Sequence, residues 1–349
     1  MRILAWPARV NARRNPYQAL LYESVEEASD IRVDEFSARR AFSPRYRIIH
    51  LHWPDVFLAS ARGLNFEARL IFLKAMISWI RLRGGRVVWT AHNYRRPGQN
   101  NGSRLERRFW PWLLRNVDGV IFLTQVSRET VLLDCERTAP YRGLSTVIPH
   151  GHYKPVIDPI LDESIGQRRP EKLTTVMFGS IAEYKNAAGL VTAAAKLNSD
   201  RHHVAIFGTL SSNSPDTEFV RMVGEGLPRS VSFCSAFLPD SELVSHLREA
   251  DLAVFPYREV SSSGAAIFAL SAGRPILASD QPAFRELQSI IGGDWVTLYD
   301  GELTANVLEA AARRARRLIC AGGAPSLNAL SWETIADQTI EFYEAVCES

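Results

Sequence analysis

Cysteine is scarce: four residues in 349, at Cys135, Cys234, Cys320 and Cys347, with no C-x-x-C pair among them. That spacing excludes a disulfide framework and offers no zinc pattern, so these are read as buried thiols. There is no apolar run of eighteen residues, which excludes a spanning helix, and MRILAWPARVNARR lacks the apolar stretch and small-residue cleavage site of a signal peptide. A cytoplasmic location is the expectation. Repeats of solenoid period, low-complexity segments and D-x-D motifs are also missing.

What is present begins with charge. The net charge of +3 hides a division: 25 Lys and Arg stand against 13 Asp and Glu up to Pro155 (+12), and 16 against 25 beyond it (−9). Two domains with different partners are the natural reading of such a chain. A basic half suits an anionic membrane face or a phosphorylated substrate; no nucleic-acid motif accompanies it, so nucleic acid is not an expected partner.

Along the first half, apolar strands alternate with helical stretches: RILAW, helix Tyr17 to Ala28, RIIHLHW, helix Asn65 to Arg83, RVVWTAHN, helix Leu105 to Arg115, GVIFLT, helix Ser127 to Cys135, STVIPH. The spacing predicts a doubly wound parallel sheet over 1–150, whose right-handed crossovers bring the strand ends, with His52, Asp55 and His92, to one edge. Residues 151–172 read as a loop-like linker. The pattern then restarts (TTVMFG, HVAIFG, VSFCS, LAVFPY, PILAS) as a second Rossmann-like domain over 173–330. SWETIADQTIEFYEAV, within 331–349, is an amphipathic helix with Ser331 as its N-cap and no strand of its own to cover, so it is expected to return to the first domain.

One stretch organises the second half, Ala250 to Ser279. Two buried strands flank Val260-Ser261-Ser262-Ser263-Gly264 and a small-residue helix, which puts hydroxyls and unpaired helical N–H groups at the carboxyl edge of the sheet. A nucleotide diphosphate fits that edge, although an ordinary capped helix has the same signature. Two helices of the first half, Asn65 to Arg83 and Leu105 to Arg115, mix Trp, Phe and Leu with Arg and Lys. Such helices suit a membrane interface, as do six of the eight tryptophans falling in this half, yet α/β helices also bury one apolar face on their own sheet.

The order of parts resembles the GT-B glycosyltransferases. The resemblance rests on two Rossmann-like domains, V-I-P-H-G, F-G-S-I-A-E-Y-K-N, F-P-Y…S-S-S-G…A-L-S-A-G-R-P-I and a closing W-E-T helix. Within that class N-P-Y-Q-A-L-L-Y, H-L-H-W-P and T-A-H-N resemble bacterial enzymes of exopolysaccharide assembly, most nearly the β-mannosyltransferases of xanthan-type repeat units. The resemblance implies two domains across a cleft and a nucleotide-sugar donor, GDP-mannose, with no further cofactor. It implies a polyprenyl-diphosphate-linked oligosaccharide ending in glucuronic acid as acceptor, and a peripheral position on the anionic inner face of the cytoplasmic membrane.

The family's G-R-x-x-x-x-K pattern falls here on Gly179, Ser180 and Lys185, so the lysine is kept and the arginine is not. Leaving-group charge needs cations or helix N–H groups, and Arg258 beside Tyr257 is the candidate substitute. The E-x7-E pair of many retaining members falls on Val260 and Phe268; Glu259 stands one residue off. The resemblance therefore implies an inverting, metal-independent reaction with a base from the first domain. Asp55 is the first candidate, with His52 and His92 as alternatives and His50 on the same strand face as His52. The donor set is Gly179, Ser180, Lys185, Tyr257, Arg258, Glu259, Ser261, Ser262, Ser263 and Gly264; no metal site is expected, His50-x-His52 with Asp55 being the weak exception. A GT-B epimerase, another nucleotide-sugar transferase with a UDP donor, and a non-catalytic scaffold are the competing readings.

Overall fold

A computed structural model describes residues 1–13, 15–59, 64–92, 94, 109–138, 141–163, 171–212 and 214–349. Asn93 of T-A-H-N and residues 105–108 of the expected Arg- and Trp-rich helix lie outside the described residues. The chain divides into two compact units, one drawn from residues 1–151 with 330–349, the other from 152–329. Each contains one six-stranded sheet in which every neighbouring pair of strands is parallel.

In the first unit the strands are β1 (Arg2–Trp6), β2 (Arg32–Glu35), β3 (Ile48–Leu51), β4 (Arg86–Ala91), β5 (Gly119–Phe122) and β6 (Leu144–Val147), in the order β2-β1-β3-β4-β5-β6. Both faces of this sheet are buried and carry apolar clusters, as a sheet covered by helices on both sides requires. Ile49, Leu51, Val87 and Trp89 pack with the helix Leu64–Leu82 and with Trp110, Leu113 and Leu114. Ile48, Val88 and Ile121 pack with helix Tyr17–Ala28 and the C-terminal helix Trp332–Glu348. The return of the last helix is thus an observed feature of this unit. It comes so close to β5 that a Cβ on Gly119 would lie 2.7 Å from Val346 Cγ2 and 2.9 Å from Phe342 Cε1. Glycine is the residue that admits the helix.

The second unit has β7 (Leu173–Phe178), β8 (His202–Phe207), β9 (Val231–Cys234), β10 (Leu252–Phe255), β11 (Ile276–Ser279) and β12 (Val296–Tyr299), in the order β12-β11-β10-β7-β8-β9. Three elements here, β12 and the helices Pro282–Ile291 and Ala305–Cys320, and β2 in the first unit have no counterpart in the sequence reading. β2 is Arg-Val-Asp-Glu, whose lone buried valine carries too little alternation to mark a strand. Where a loop-like linker is expected, Lys154–Glu163 is helical despite Pro159 inside it.

The tryptophans correct one expectation. Trp89 and Trp110 are buried, Trp6 and Trp112 pack against the core, and Trp53 lies tilted against the His92 ring; Trp79 alone of the six is substantially exposed, at 43%. The tryptophan count therefore reports mainly on core packing.

Candidate active site

In the first unit the side-chain alternation of parallel strands decides what meets. His50 pairs in register with Val88, so His50 and His52 share a face with Thr90 and His92. All four are buried on the face that helix Tyr17–Ala28 and the C-terminal helix cover. Two tyrosines from those helices reach them. Thr90 Oγ1 is 2.7 Å from His50 Nε2; His50 Nδ1 is 2.9 Å from the Tyr22 hydroxyl and 2.7 Å from the Tyr343 hydroxyl. The Tyr22 hydroxyl also lies 2.5 Å from His52 Nε2, and His52 Nδ1 lies 3.0 Å from His92 Nε2. One hydrogen-bonded chain runs from Thr90 to the strand end.

Burial dominates the electrostatics of this chain. It pushes His50 down to about 3 and His150 to about 4. Burial, then the neighbouring imidazoles, hold His52 and His92 well below the ordinary histidine range. At neutral pH every ring is uncharged, with one donor and one acceptor nitrogen. The Tyr22 and Tyr343 phenols are pushed up by the same burial and stay protonated. Trp53 and Tyr17 flank the His92 ring, at 4.5 and 5.1 Å between centroids, and the Tyr17 ring also meets His150. Asp55 is buried in the first turn of the short helix Pro54–Ala59, three residues after His52. Of the sequence candidates, His52 and His92 touch one another, and Asp55 follows His52 by three residues at the same strand end.

Tyr22, Thr90 and Tyr343 were not read as site residues. Tyr22 closes N-P-Y-Q-A-L-L-Y, but Tyr343 is 293 residues from His50, and nothing short-range in a sequence pairs them.

In the second unit the candidate donor residues collect at the carboxyl ends of β7 and β10. Gly179 follows β7 with φ +101, and Gly208 follows β8 so closely that a Cβ there would fall 1.8 Å from the Gly179 carbonyl oxygen. Both glycines hold the strand ends together. The turn Glu183–Lys185 follows, and Asn186 closes it in the left-handed conformation at φ 57. Arg258, just past β10, is tied to that turn twice: its N–H donates to Tyr184 O at 2.7 Å, and its Nη2 donates to Asn186 Oδ1 at 3.1 Å.

Lys185 is the unusual residue. It is 8% exposed, its Nζ stands 5.2 Å from the Tyr257 ring centroid and 3.2 Å from where a Gly179 Cβ would be, and no carboxylate pairs with it among the described residues. Desolvation lowers it to about 8. A buried ammonium with an aromatic face on one side and no counter-ion is a site prepared for an anion. Tyr257 is buried, with its hydroxyl beside Ser263 but not in a well-formed hydrogen bond, and burial raises its pKa. Ser263 caps the helix Gly264–Ser271 by accepting from Ala266 N at 3.2 Å, which leaves the N–H groups of Gly264 and Ala265 at the open end.

The structure therefore gathers Gly179, Lys185, Tyr257 and Arg258, with Ser263 and Gly264 beside Tyr257. Ser261 and Ser262 are half-buried in the same loop, while Ser180 and Glu259 are exposed. At the positions of the absent glutamate pair, Phe268 is packed against the rings of Tyr153 and Phe178 and Val260 is half-buried. No group of His, Cys, Asp and Glu able to hold a metal occurs among the described residues.

Comparison with known proteins bears on both units. Residues 172–320 match the family "Glycosyl transferases group 1". The chain is 29% identical over 329 residues to the GDP-mannose:glycolipid 4-beta-D-mannosyltransferase of Xanthomonas campestris pv. campestris, covering 93% of this chain and 86% of that one. It is 30% identical over 169 residues to the MMP alpha-(1->4)-mannosyltransferase of Mycolicibacterium hassiacum, covering 46% of this chain and 40% of the other. Among solved structures, sucrose-phosphate synthase from Thermosynechococcus elongatus superposes with a TM-score of 0.65 at 17% identity, over 99% of this chain and 98% of that one. An alpha,alpha-trehalose 6-phosphate synthase from Burkholderia multivorans gives 0.62 at 11%, over 96% and 78%.

Proposed function

Because this chain is a glycosyltransferase of the GT-B fold with a group 1 domain, we propose that it transfers mannose from GDP-mannose to a lipid-linked oligosaccharide, with inversion at the anomeric carbon. The observation that carries the donor half is Lys185, a buried cation beside the end of β7 with no counter-ion among the described residues. The diphosphate of a nucleotide sugar supplies the missing anion, and Arg258 and the first N–H groups of helix Gly264–Ser271 add donors as charge develops on the leaving phosphate. The mannosyl reading rests on similarity to the Xanthomonas enzyme, which spans both units.

Inversion is favoured by Phe268 and Val260. Two apolar side chains occupy the positions of a retaining glutamate pair, and Phe268 is held in place by ring packing. The acceptor hydroxyl then attacks in line, its proton taken by a first-unit base, for which Asp55 is the assignment. Incubation with GDP-mannose, UDP-glucose and UDP-glucuronic acid, each with a glucuronic acid-terminated polyprenyl diphosphate oligosaccharide, tests donor and acceptor together. A β-mannoside, read from the one-bond anomeric carbon–proton coupling, is the expected product. An α-linkage would overturn inversion, and turnover with a UDP-sugar alone would overturn the donor. Asp55→Asn is expected to lower kcat by on the order of 10²–10⁴ with donor affinity retained.

The membrane side of the proposal rests on helix Leu64–Leu82. Its outward face carries Ile71 (65% exposed), Trp79 and Leu82 (83%), with Phe42 packed on Trp79. Among the described residues no helix is long and apolar enough to cross a bilayer. An apolar stripe on a basic half suits insertion into the interface of an anionic bilayer, where a lipid-linked acceptor resides.

A further inference from the structure

The chain of hydrogen bonds behind His92 has a direction. A phenol is a far better proton donor than a neutral imidazole N–H, and an imidazole nitrogen is a far better acceptor than a phenol oxygen, so a Tyr–His hydrogen bond runs O–H to N, and two phenol protons are shared among three Tyr–His contacts. Two hydroxyls, Tyr22 and Tyr343, within hydrogen-bonding reach of each other, converge on the single nitrogen His50 Nδ1, and one of them also faces His52 Nε2. The shorter contact in each case pairs Tyr343 with His50 Nδ1 (2.7 against 2.9 Å) and Tyr22 with His52 Nε2 (2.5 Å). His50, accepting at Nδ1, carries its proton on Nε2 and donates to Thr90 Oγ1 at 2.7 Å. His52, accepting at Nε2, carries its proton on Nδ1 and donates to His92 Nε2 at 3.0 Å. His92 is left with its proton on Nδ1, which has no hydrogen-bond partner among the described residues.

We infer that Tyr22 and Tyr343 are positioning residues that lock His92 as an Nδ1–H donor through His52, so that His92 offers a hydrogen bond to a substrate oxygen and does not act as the base. Tyr343 belongs to the C-terminal helix, which by this route takes part in the site without touching substrate. The inference deepens the functional reading above and rests on it in one respect: with Asp55 as the base, the strand end that His92 shares with it borders the substrate. Full burial of Tyr22, His50, Thr90 and Tyr343 shuts out water that would otherwise scramble the tautomers.

The test is the tautomer itself. In the full-length protein with ¹⁵N-labelled histidine, two-bond proton–nitrogen correlations at pH 7 are expected to show His52 and His92 protonated on Nδ1 and His50 on Nε2. His92 protonated on Nε2 would overturn the inference without any variant. In Tyr343→Phe, one hydroxyl must serve both His50 Nδ1 and His52 Nε2, so the His52 and His92 signals should move to a mixture of tautomers. kcat should fall on the order of tenfold, the equivalent of one hydrogen bond, with KM for the donor within about threefold. An unchanged pattern in Tyr343→Phe removes Tyr343 from the device. If that variant does not fold, Thr90→Val reads the chain from its other end and should scramble the same signals.

Val346→Ala, on the same helix but outside the chain, should lower thermal stability with the tautomers intact; an equal scrambling there would assign the effect to general loosening. His92→Gln keeps the two kinds of failure apart. Full transfer activity in that variant would remove His92 from the substrate while leaving the tautomer result standing.

Discussion

Lys185 shows how far a residue's neighbours decide its chemistry. Alone in a sequence it is a loop lysine; in the fold it is an ammonium enclosed by Gly179 and the Tyr257 ring, with desolvation lowering it to about 8. The charged form is full below that value and is lost as pH rises through it, so donor affinity, measured by calorimetry, should be flat up to about pH 7.5 and fall by up to about tenfold per pH unit above 8. Lys185→Met should bind more weakly at pH 7 and lose the pH dependence; a variant that keeps the parent's profile would move the anion elsewhere. The buried histidines act in the opposite range. Their folded-state values lie below the ordinary 6.5, with His50 at about 3 and His150 at about 4, so below pH 6.5 the unfolded chain binds more protons than the folded one. Stability should drop as pH falls from there toward 4, by about 1.4 kcal/mol per histidine per pH unit. Urea midpoints at pH 7, 6 and 5 measure it. H-L-H-W-P, T-A-H-N and V-I-P-H-G mark these histidines in the sequence, but their neutrality comes from burial in the fold and could not be read there.

At the scale of elements, legibility follows hydrophobic periodicity. Helix Tyr17–Ala28 has the bounds its pattern implies, and β1, β4, β7 and β10 begin within a residue of their apolar runs. β2 and β12, both edge strands of four residues, fail for different reasons: Arg-Val-Asp-Glu has a single buried apolar residue, and Val-Thr-Leu-Tyr is too short, with no polar–apolar alternation in its burial, to register. Pro159 signals a break that does not occur, since Lys154–Glu163 remains helical around it. The docking of the C-terminal helix was legible as amphipathicity without a strand to cover; its seat was not, because Gly119 looks like any strand glycine until Val346 and Phe342 are placed over it. Gly119→Val should push the helix off β5 at a cost of about 1–3 kcal/mol, lowering the melting temperature. Through Tyr343 it should also disturb the histidine chain, whereas Gly224→Ala, where a Cβ meets nothing within 4 Å, should do neither.

For the molecule as a whole, the division of charge is the sequence feature with the widest reach. The half that carries +12 also carries the exposed apolar face of helix Leu64–Leu82, with Arg81 exposed on the same helix and Lys74 held over Trp112. Composition alone could not separate a membrane helix from a core helix, since this helix has an apolar residue set on each side: Leu70, Leu73, Met76, Ile77 and Ile80 face the sheet, while Ile71, Trp79 and Leu82 face away. The second candidate helix, by contrast, turns Trp110, Leu113 and Leu114 to the core. Two forces should therefore act at a bilayer, apolar insertion of one stripe and attraction of the basic half, and they respond to different conditions. Flotation with liposomes containing phosphatidylglycerol should recover the protein at low salt, with recovery falling steeply by about 0.5 M salt as charges are screened. Ile71→Glu with Leu82→Glu should abolish flotation at either ionic strength while leaving binding of nucleotide sugar, a property assigned to the second unit, as tight as in the parent. Equal recovery on neutral vesicles at high salt would leave insertion alone, and flotation that survives both glutamates would move the contact to another face.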